Sequence, residues 1–324
     1  MPALLEVDGL TAQFNSTDGI VRAATNVNFM LQPGRVLSLL GESGSGKTTV
    51  ALSILNLLPH PGRIVGGEVR FEGRNLLTLA ERELRRLRGS DISMIFQDPV
   101  SGLNPVLTIG QQIEEIITSH TDIGKKEAHR RAIEVLHTMG IAGPERVAKQ
   151  YPFHLSGGMC QRVMIGIATA LGPKVLIADE PTSALDVTVQ AAILDELRRL
   201  RDRGTAILLI THDLGVVAQM ANEVGVMYGG HIVEYGDVDA IFRRPRHPYT
   251  AALMATRPRV DEPRERLAVI PGTPPALVDQ PDECPFLGRC PKALSRCRLE
   301  PMPPMEEVEP GHWLACYNPM AEID

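Results

Sequence analysis

Short apolar runs separated by polar turns open the chain and predict strands over residues 4–7 and 21–29. The turn Gln32-Pro33-Gly34 stops the second run, because proline lacks an amide hydrogen and glycine accepts backbone angles that other residues avoid. The mostly apolar segment over 35–40 predicts a buried strand. It leads into a Gly/Ser-rich segment, 41–47, and then a largely apolar helix over 48–58. From about residue 101 to 170 strand signals fade, and helix-like stretches at 109–119 and 125–139 predict a helical insertion. The runs 175–178 and 206–210 are apolar without alternation, as strands covered on both faces are. A helix over 187–203 between them completes a βαβ unit.

Beyond about residue 242 the pattern breaks down. Pro245, Pro248, Pro258, Pro263, Pro271, Pro274, Pro275, Pro281, Pro285 and Pro291 punctuate a stretch with little periodicity, which sets a domain boundary near residue 260. No internal repeat is evident, which argues against a solenoid.

Composition narrows this picture. A chain of 324 residues accommodates one large domain with a small appendage, or two modest domains. Hydrophobic residues make up 44% and aromatics only 4%, so the core must be built from Ala, Val, Ile, Leu and Met, which suits an α/β protein. A formal charge of -6 gives no global attraction for nucleic acid, and no such partner is expected. The opening MPALLEVDGL lacks the charged leader and apolar core of a secretory signal. The longest apolar stretch, 163–178, is broken by Gly172, Pro173 and Lys174, short of the roughly 20 residues a spanning helix needs. A cytosolic protein is expected, with any membrane attachment through a partner.

The segment Gly41-Glu42-Ser43-Gly44-Ser45-Gly46-Lys47-Thr48 fits G-x-x-x-x-G-K-[ST], whose glycines let backbone N–H groups wrap phosphate oxygens at a helix N-terminus. In this arrangement Lys47 reaches the β and γ phosphates and the Thr48 hydroxyl binds Mg²⁺. Gly41, Ser43, Gly44, Ser45, Gly46, Lys47, Thr48 and Thr49 form the candidate ATP-binding set. The apolar run 175–178 ends in two acids. Asp179 is placed to hold Mg²⁺, and Glu180 is the candidate general base for the attacking water. His212 follows the run 206–210 and so falls at the carboxyl edge of the sheet, where an imidazole can reach a γ phosphate.

Between these motifs lies Leu155-Ser156-Gly157-Gly158-Met159-Cys160-Gln161, which resembles the signature of ABC ATPases. Gln97 resembles that family's Q-loop glutamine, a further Mg²⁺ contact beside Thr48 and Asp179. The segment Ser183-Ala184-Leu185-Asp186 resembles its D-loop and His212 its switch histidine, while Phe14 stands in the place of the adenine-stacking aromatic. The resemblance covers roughly residues 4 to 250. It implies that Gln97, Glu180 and His212 serve catalysis, and that Ser156, Gly157 and Gly158 close over the ATP of a partner subunit. Met159 departs from the general signature, and Cys160 reads as a small packed thiol without a role.

The segments QDPVSGLNP (97–105), Arg246-His247-Pro248-Tyr249-Thr250 and Ile270-Pro271-Gly272 are similar to the dipeptide, oligopeptide and nickel importer branch. That resemblance implies import of di- or oligopeptides and a second, different ATPase subunit. It also implies two membrane permeases, an extracytoplasmic solute-binding protein, and a peripheral location on the cytoplasmic face of the inner membrane. A non-transport ABC ATPase and a redox-sensing regulatory ATPase are the alternatives.

Five cysteines in a cytosolic chain argue against a disulfide framework, and four of them crowd the tail. Cys284, Cys290, Cys297 and Cys316 stand as C-x5-C-x6-C-x18-C, wider than the usual zinc pairs and unlike the common ferredoxin spacings. The resemblance to the peptide branch implies a structural [4Fe-4S] cluster on these four thiols, with zinc or unliganded thiols as the alternatives. The expected architecture is a P-loop α/β core with an antiparallel β subdomain and a helical subdomain (about 101–170) within residues 1–260. A small cysteine-containing C-terminal domain follows over 261–324.

Overall fold

The computed structural model describes residues 3–183, 186–256 and 269–321. The domain boundary expected near residue 260 therefore lies outside the described residues. The chain forms two compact units. The first takes Met1–Leu4, Gln32–Arg35 and Thr78–Leu208, and the second Leu5–Leu31, Val36–Leu77 and Leu209–Asp324.

The second unit opens with β1 (Leu5–Ser16) and β2 (Gly19–Leu31), an antiparallel hairpin. It continues through β3 (Val36–Leu40) and α1 (Lys47–Ile54) to β4 (Gly62–Phe71) and β5 (Arg74–Asn75). The antiparallel sheet runs β2-β1-β4-β5, and Leu5, Val7, Leu10 and Ala12 of β1 are all buried in it. Strand β1 reaches far past residue 7 because it is paired on both sides, by β2 and by β4. The helix expected over 48–58 stops at Ile54. Asn56 takes a left-handed backbone, φ 50°, and its N–H turns back to the Ser53 carbonyl, which closes the helix end.

The first unit holds α2 (Glu81–Leu87), β6 (Ile92–Ile95), α3 (Ile109–His120), α4 (Lys125–Thr138), α5 (Pro144–Val147), α6 (Gly157–Thr169), β7 (Val175–Asp179) and α7 (Val187–Asp202). Ile109, Ile113 and Ile117 recur every four residues along α3, as Ala128, Ala132 and Leu136 do along α4. Those two stripes and Cys160 and Val163 of α6 form one core. Thr108 starts α3 with a capping box to Gln111. Strands β6 and β7 run parallel and fully buried, as their unalternating apolar sequence requires.

In β8 (Ala206–Thr211), residues 206–208 belong to the first unit and 209–211 to the second. The second unit resumes with α8 (Leu214–Met220), β9 (Glu223–Tyr228), β10 (His231–Asp237), α9 (Val238–Arg243) and α10 (Pro248–Ala255). It ends with α11 (Arg296–Leu299), β11 (Glu306–Glu309) and β12 (His312–Leu314). Within it the strands lie in the order β11-β12-β10-β9-β3, with β3 parallel to β9 and the others antiparallel. The cysteine-bearing tail is thus part of a mixed sheet. Leu314 of β12 faces Glu234 of β10, and the buried Glu234 carboxylate accepts from the Arg246 and His247 N–H groups and bonds His312 Nε2.

Candidate functional site

The phosphate loop joins β3 to α1. Gly46 is the N-cap of α1 at φ 104°, and a Cβ there would meet the Ala23 carbonyl oxygen at 2.0 Å, so only glycine fits. At Gly41 a Cβ would lie 2.2 Å from the Met227 carbonyl oxygen. These two positions wedge the loop between β2 and β9. The N-cap Gly46 offers no side-chain acceptor to the first N–H groups of α1. The buried Lys47 ammonium donates to the Gly41 carbonyl (2.8 Å), the Glu42 carbonyl (2.9 Å) and Ser45 Oγ (3.2 Å), which holds the loop in a closed ring. Ser43, Gly44 and Thr48 are exposed, and Thr49 is half-buried. A helix N-terminus without a cap, backed by an ammonium, has the donor chemistry for a polyphosphate, and the Thr48 hydroxyl is a hard oxygen ligand of the kind Mg²⁺ takes.

Phe14, on β1, lies opposite Val21 of β2 and Gly62 of β4, and its ring rests over Gly62, where a Cβ would approach Cε1 to 2.5 Å. His212 follows β8 and is exposed. Asp213 next to it caps α8, accepting from the Gly215 and Val216 N–H groups.

In the first unit, β7 ends in Asp179, 1% exposed, and Glu180, 9% exposed. Glu180 has φ 50°, a left-handed backbone that a non-glycine residue adopts only under constraint. The constraint is visible in the turn that follows. The Ser183 N–H bonds the Glu180 carbonyl, and the buried Gln161 amide donates from α6 to the Pro181 carbonyl at 2.8 Å. The last β6–β7 pair is Ile95 with Ala178. Two residues beyond it, the exposed Gln97 leaves the same edge that carries Asp179 and Glu180. Sequence reasoning missed Gln161 as a holding residue, although it is the last residue of the signature segment.

Ser156 is the N-cap of α6 and its hydroxyl accepts from the Met159 N–H at 3.3 Å, with Gly157 and Gly158 forming the first turn. Cys160 is buried, and its thiol donates to the Pro152 carbonyl at 3.6 Å, in keeping with a packing role. Asp186 caps α7 through the Thr188 and Val189 N–H groups. Ala184 and Leu185 of the D-loop segment lie outside the described residues.

The tail requires a correction. Cys284, Cys290, Cys297 and Cys316 line one pocket together with His247, Lys292 and Asn318. Among the described residues, however, no group of three or more His, Cys, Asp or Glu side chains is arranged to hold a metal ion. The expected [4Fe-4S] cluster on these four residues, and its zinc alternative, are therefore not supported. Burial pushes Cys284 up to about 12 and Cys316 up to about 11, and it raises Cys290 as well. His247 is also held in its uncharged form, since burial lowers its pKa to about 4. Its Nδ1 accepts from the Tyr249 N–H and so caps α10.

Among the described residues no helix is long and apolar enough to cross a membrane. Comparison with known proteins places these features. Residues 24–183 match the ABC transporter family, and residues 233–297 match the C-terminal region of oligopeptide/dipeptide transporters. The chain is 46% identical to the oligopeptide transport ATP-binding protein OppD of Escherichia coli, over 99% of this chain and 95% of that one. It is 47% identical to OppD of Bacillus subtilis, over 97% and 88% of the two chains. The dipeptide transport ATP-binding protein DppD of E. coli is 44% identical over 98% and 97%. Among solved structures, a dimeric ATP-binding cassette bound to ADP and Pi in a post-hydrolysis state superposes with a TM-score of 0.66. That structure is 29% identical and covers 72% of this chain and 98% of its own. The phosphate loop, the Asp179-Glu180 strand end, the signature helix and nearly full-length similarity lead to one conclusion: the chain belongs to the ABC transporter family, as an ATP-hydrolysing subunit of its peptide-importer branch.

Proposed function

We propose that this ATPase energises the import of di- or oligopeptides. The observation that carries the cargo is the similarity of residues 233–297 to the C-terminal region of oligopeptide/dipeptide transporters, in a part of the chain that extends beyond the nucleotide-binding motifs. The relatives named for oligopeptide and dipeptide transport match across that region as well as the motifs, which supports the same reading.

The assignments follow the chemistry of each position. Gly41, Ser43, Gly44, Ser45, Gly46, Lys47, Thr48 and Thr49 bind the ATP phosphates, and Phe14 stacks on the adenine. Thr48, Gln97 and Asp179 carry the oxygens that Mg²⁺ takes; the ion, when bound, offsets phosphate charge. Glu180 takes the proton of the attacking water, His212 bonds the γ phosphate and Gln97 orients the water. Ser156, Gly157 and Gly158 serve the ATP of a second, different ATPase subunit. Two permeases and a solute-binding protein complete the assembly, with this chain peripheral on the cytoplasmic membrane face. Residues 1–260 are assigned to the nucleotide-binding domain, with its helical part about 101–170, and 261–324 to the extension.

The test is peptide uptake in the native host. Deleting the gene should abolish accumulation of labelled di- and oligopeptides, and wild-type protein, but not Glu180→Gln, should restore it. Undiminished peptide uptake in the deletion strain would reject the peptide cargo and leave the ATPase assignment standing.

A further inference from the structure

Glu42, the second residue of the phosphate loop, is fixed by three different groups. Its N–H donates to Tyr249 Oη at 3.0 Å, its carbonyl accepts from Lys47 Nζ at 2.9 Å, and its carboxylate meets Arg289 of the C-terminal extension. Arg289 is 7% exposed at its side chain, and all five of its N–H donors have acceptors. Nη1 donates to Glu42 Oε2 (2.7 Å) and Tyr228 Oη (3.0 Å), and Nη2 to Glu42 Oε1 (3.2 Å) and the Ile270 carbonyl (3.1 Å). Nε donates to the Pro271 carbonyl at 2.9 Å. The pair is the two-pronged arrangement in which arginine holds a carboxylate most firmly.

The extension is built to deliver this residue. Phe286 is buried against Tyr228 (5.2 Å between ring centroids) and Tyr249 (5.4 Å), which are themselves 4.4 Å apart. A short turn over Leu287–Arg289 then brings the guanidinium back over the Tyr228 ring, 5.7 Å from its centroid.

A carboxylate in a loop that receives a polyphosphate is electrostatically adverse unless a cation accompanies it. We propose that Arg289 is a positioning residue of the ATP site: it neutralises Glu42 and fixes the loop's first turn, so that the C-terminal extension presets the phosphate loop for ATP. The proposal rests on the reading that this loop binds ATP.

The experiment measures ATP affinity of the full-length chain by titration calorimetry, with KM and kcat for its ATPase alongside. Arg289→Gln leaves the Glu42 carboxylate uncompensated and is expected to weaken ATP binding about tenfold, with KM rising and kcat at saturating ATP unchanged. The loss should shrink as salt is raised. Adding Glu42→Gln to that variant removes the stranded charge and is expected to recover most of the affinity, which a purely structural role for Arg289 would not produce. Wild-type affinity in Arg289→Gln, or a double variant as weak as the single, overturns the proposal. Should Arg289→Gln not fold, Arg289→Lys takes its place, since it keeps the charge without the fork. It is expected to weaken binding about threefold, and a wild-type Kd there overturns the proposal equally. Wild-type protein that binds no ATP would instead defeat the underlying assignment of the loop.

Discussion

The buried Gln161 side chain donates to the Pro181 carbonyl at 2.8 Å, tying the helix that carries Ser156, Gly157 and Gly158 to the turn that carries Glu180. The two motifs lie about twenty residues apart in the sequence yet form one mechanical element, because a buried carbonyl next to a left-handed residue needs a donor to stay in place.

Replacing that donor by leucine of similar volume leaves the Pro181 carbonyl unsatisfied, at a cost of about 1–3 kcal/mol, and loosens the Glu180 turn. Gln161→Leu is expected to lower kcat for ATP about tenfold with KM little changed, since it leaves the phosphate loop intact. Steady-state kinetics decide this, and a KM defect at normal kcat would detach Gln161 from Glu180.

Glu180→Gln keeps the shape of the turn and removes the proposed base. ATP binding should persist while turnover falls on the order of 10²- to 10⁴-fold. Near-normal hydrolysis would remove Glu180 from the role. Lys47→Ala should instead lose binding, because the loop forfeits both its internal ammonium bonds and the cation facing phosphate.

His247 supplies a pH dependence. Burial lowers its pKa to about 4 from an ordinary 6.5, so between those values the unfolded chain binds more protons than the folded one. The nearby Glu234 carboxylate opposes the shift without cancelling it. The associated stability is therefore complete above pH 6.5 and is lost as pH falls toward 4, a difference of about 3 kcal/mol. His247→Asn retains an acceptor for the Tyr249 N–H and does not titrate. Urea unfolding at pH 7 and pH 4.5 should show a smaller acid loss in the variant than in wild type; equal losses would exclude His247 as a source.

The half-buried Cys284, Cys290 and Cys316 should behave as protonated thiols, because burial raises all three. With Cys284 pushed up to about 12, its thiolate at pH 8 amounts to on the order of one part in ten thousand. Iodoacetamide labelling followed by mass spectrometry should find Cys284 modified at least a hundredfold more slowly in native protein than in urea. Equal rates would contradict the burial argument.

What the sequence determined by itself is the set of local features. The phosphate loop is legible because glycines, lysine and threonine at fixed spacing fall between an apolar strand and a helix. Helices α3, α4 and α7 are legible because their apolar faces recur every three or four residues, and β7 and β8 because runs apolar on both faces suit buried parallel strands. The tertiary structure decided everything that depends on remote pairing. The order β11-β12-β10-β9-β3, the extent of β1, the Gln161–Pro181 bond and the five-acceptor clamp around Arg289 join residues between which no periodicity runs. The cysteine tail shows the same limit from the other side. Four crowded thiols and the family resemblance suggested a metal, but only the surrounding fold sets their arrangement: the four are half-buried, burial raises Cys284, Cys290 and Cys316, and among the described residues no group is arranged to hold a metal ion.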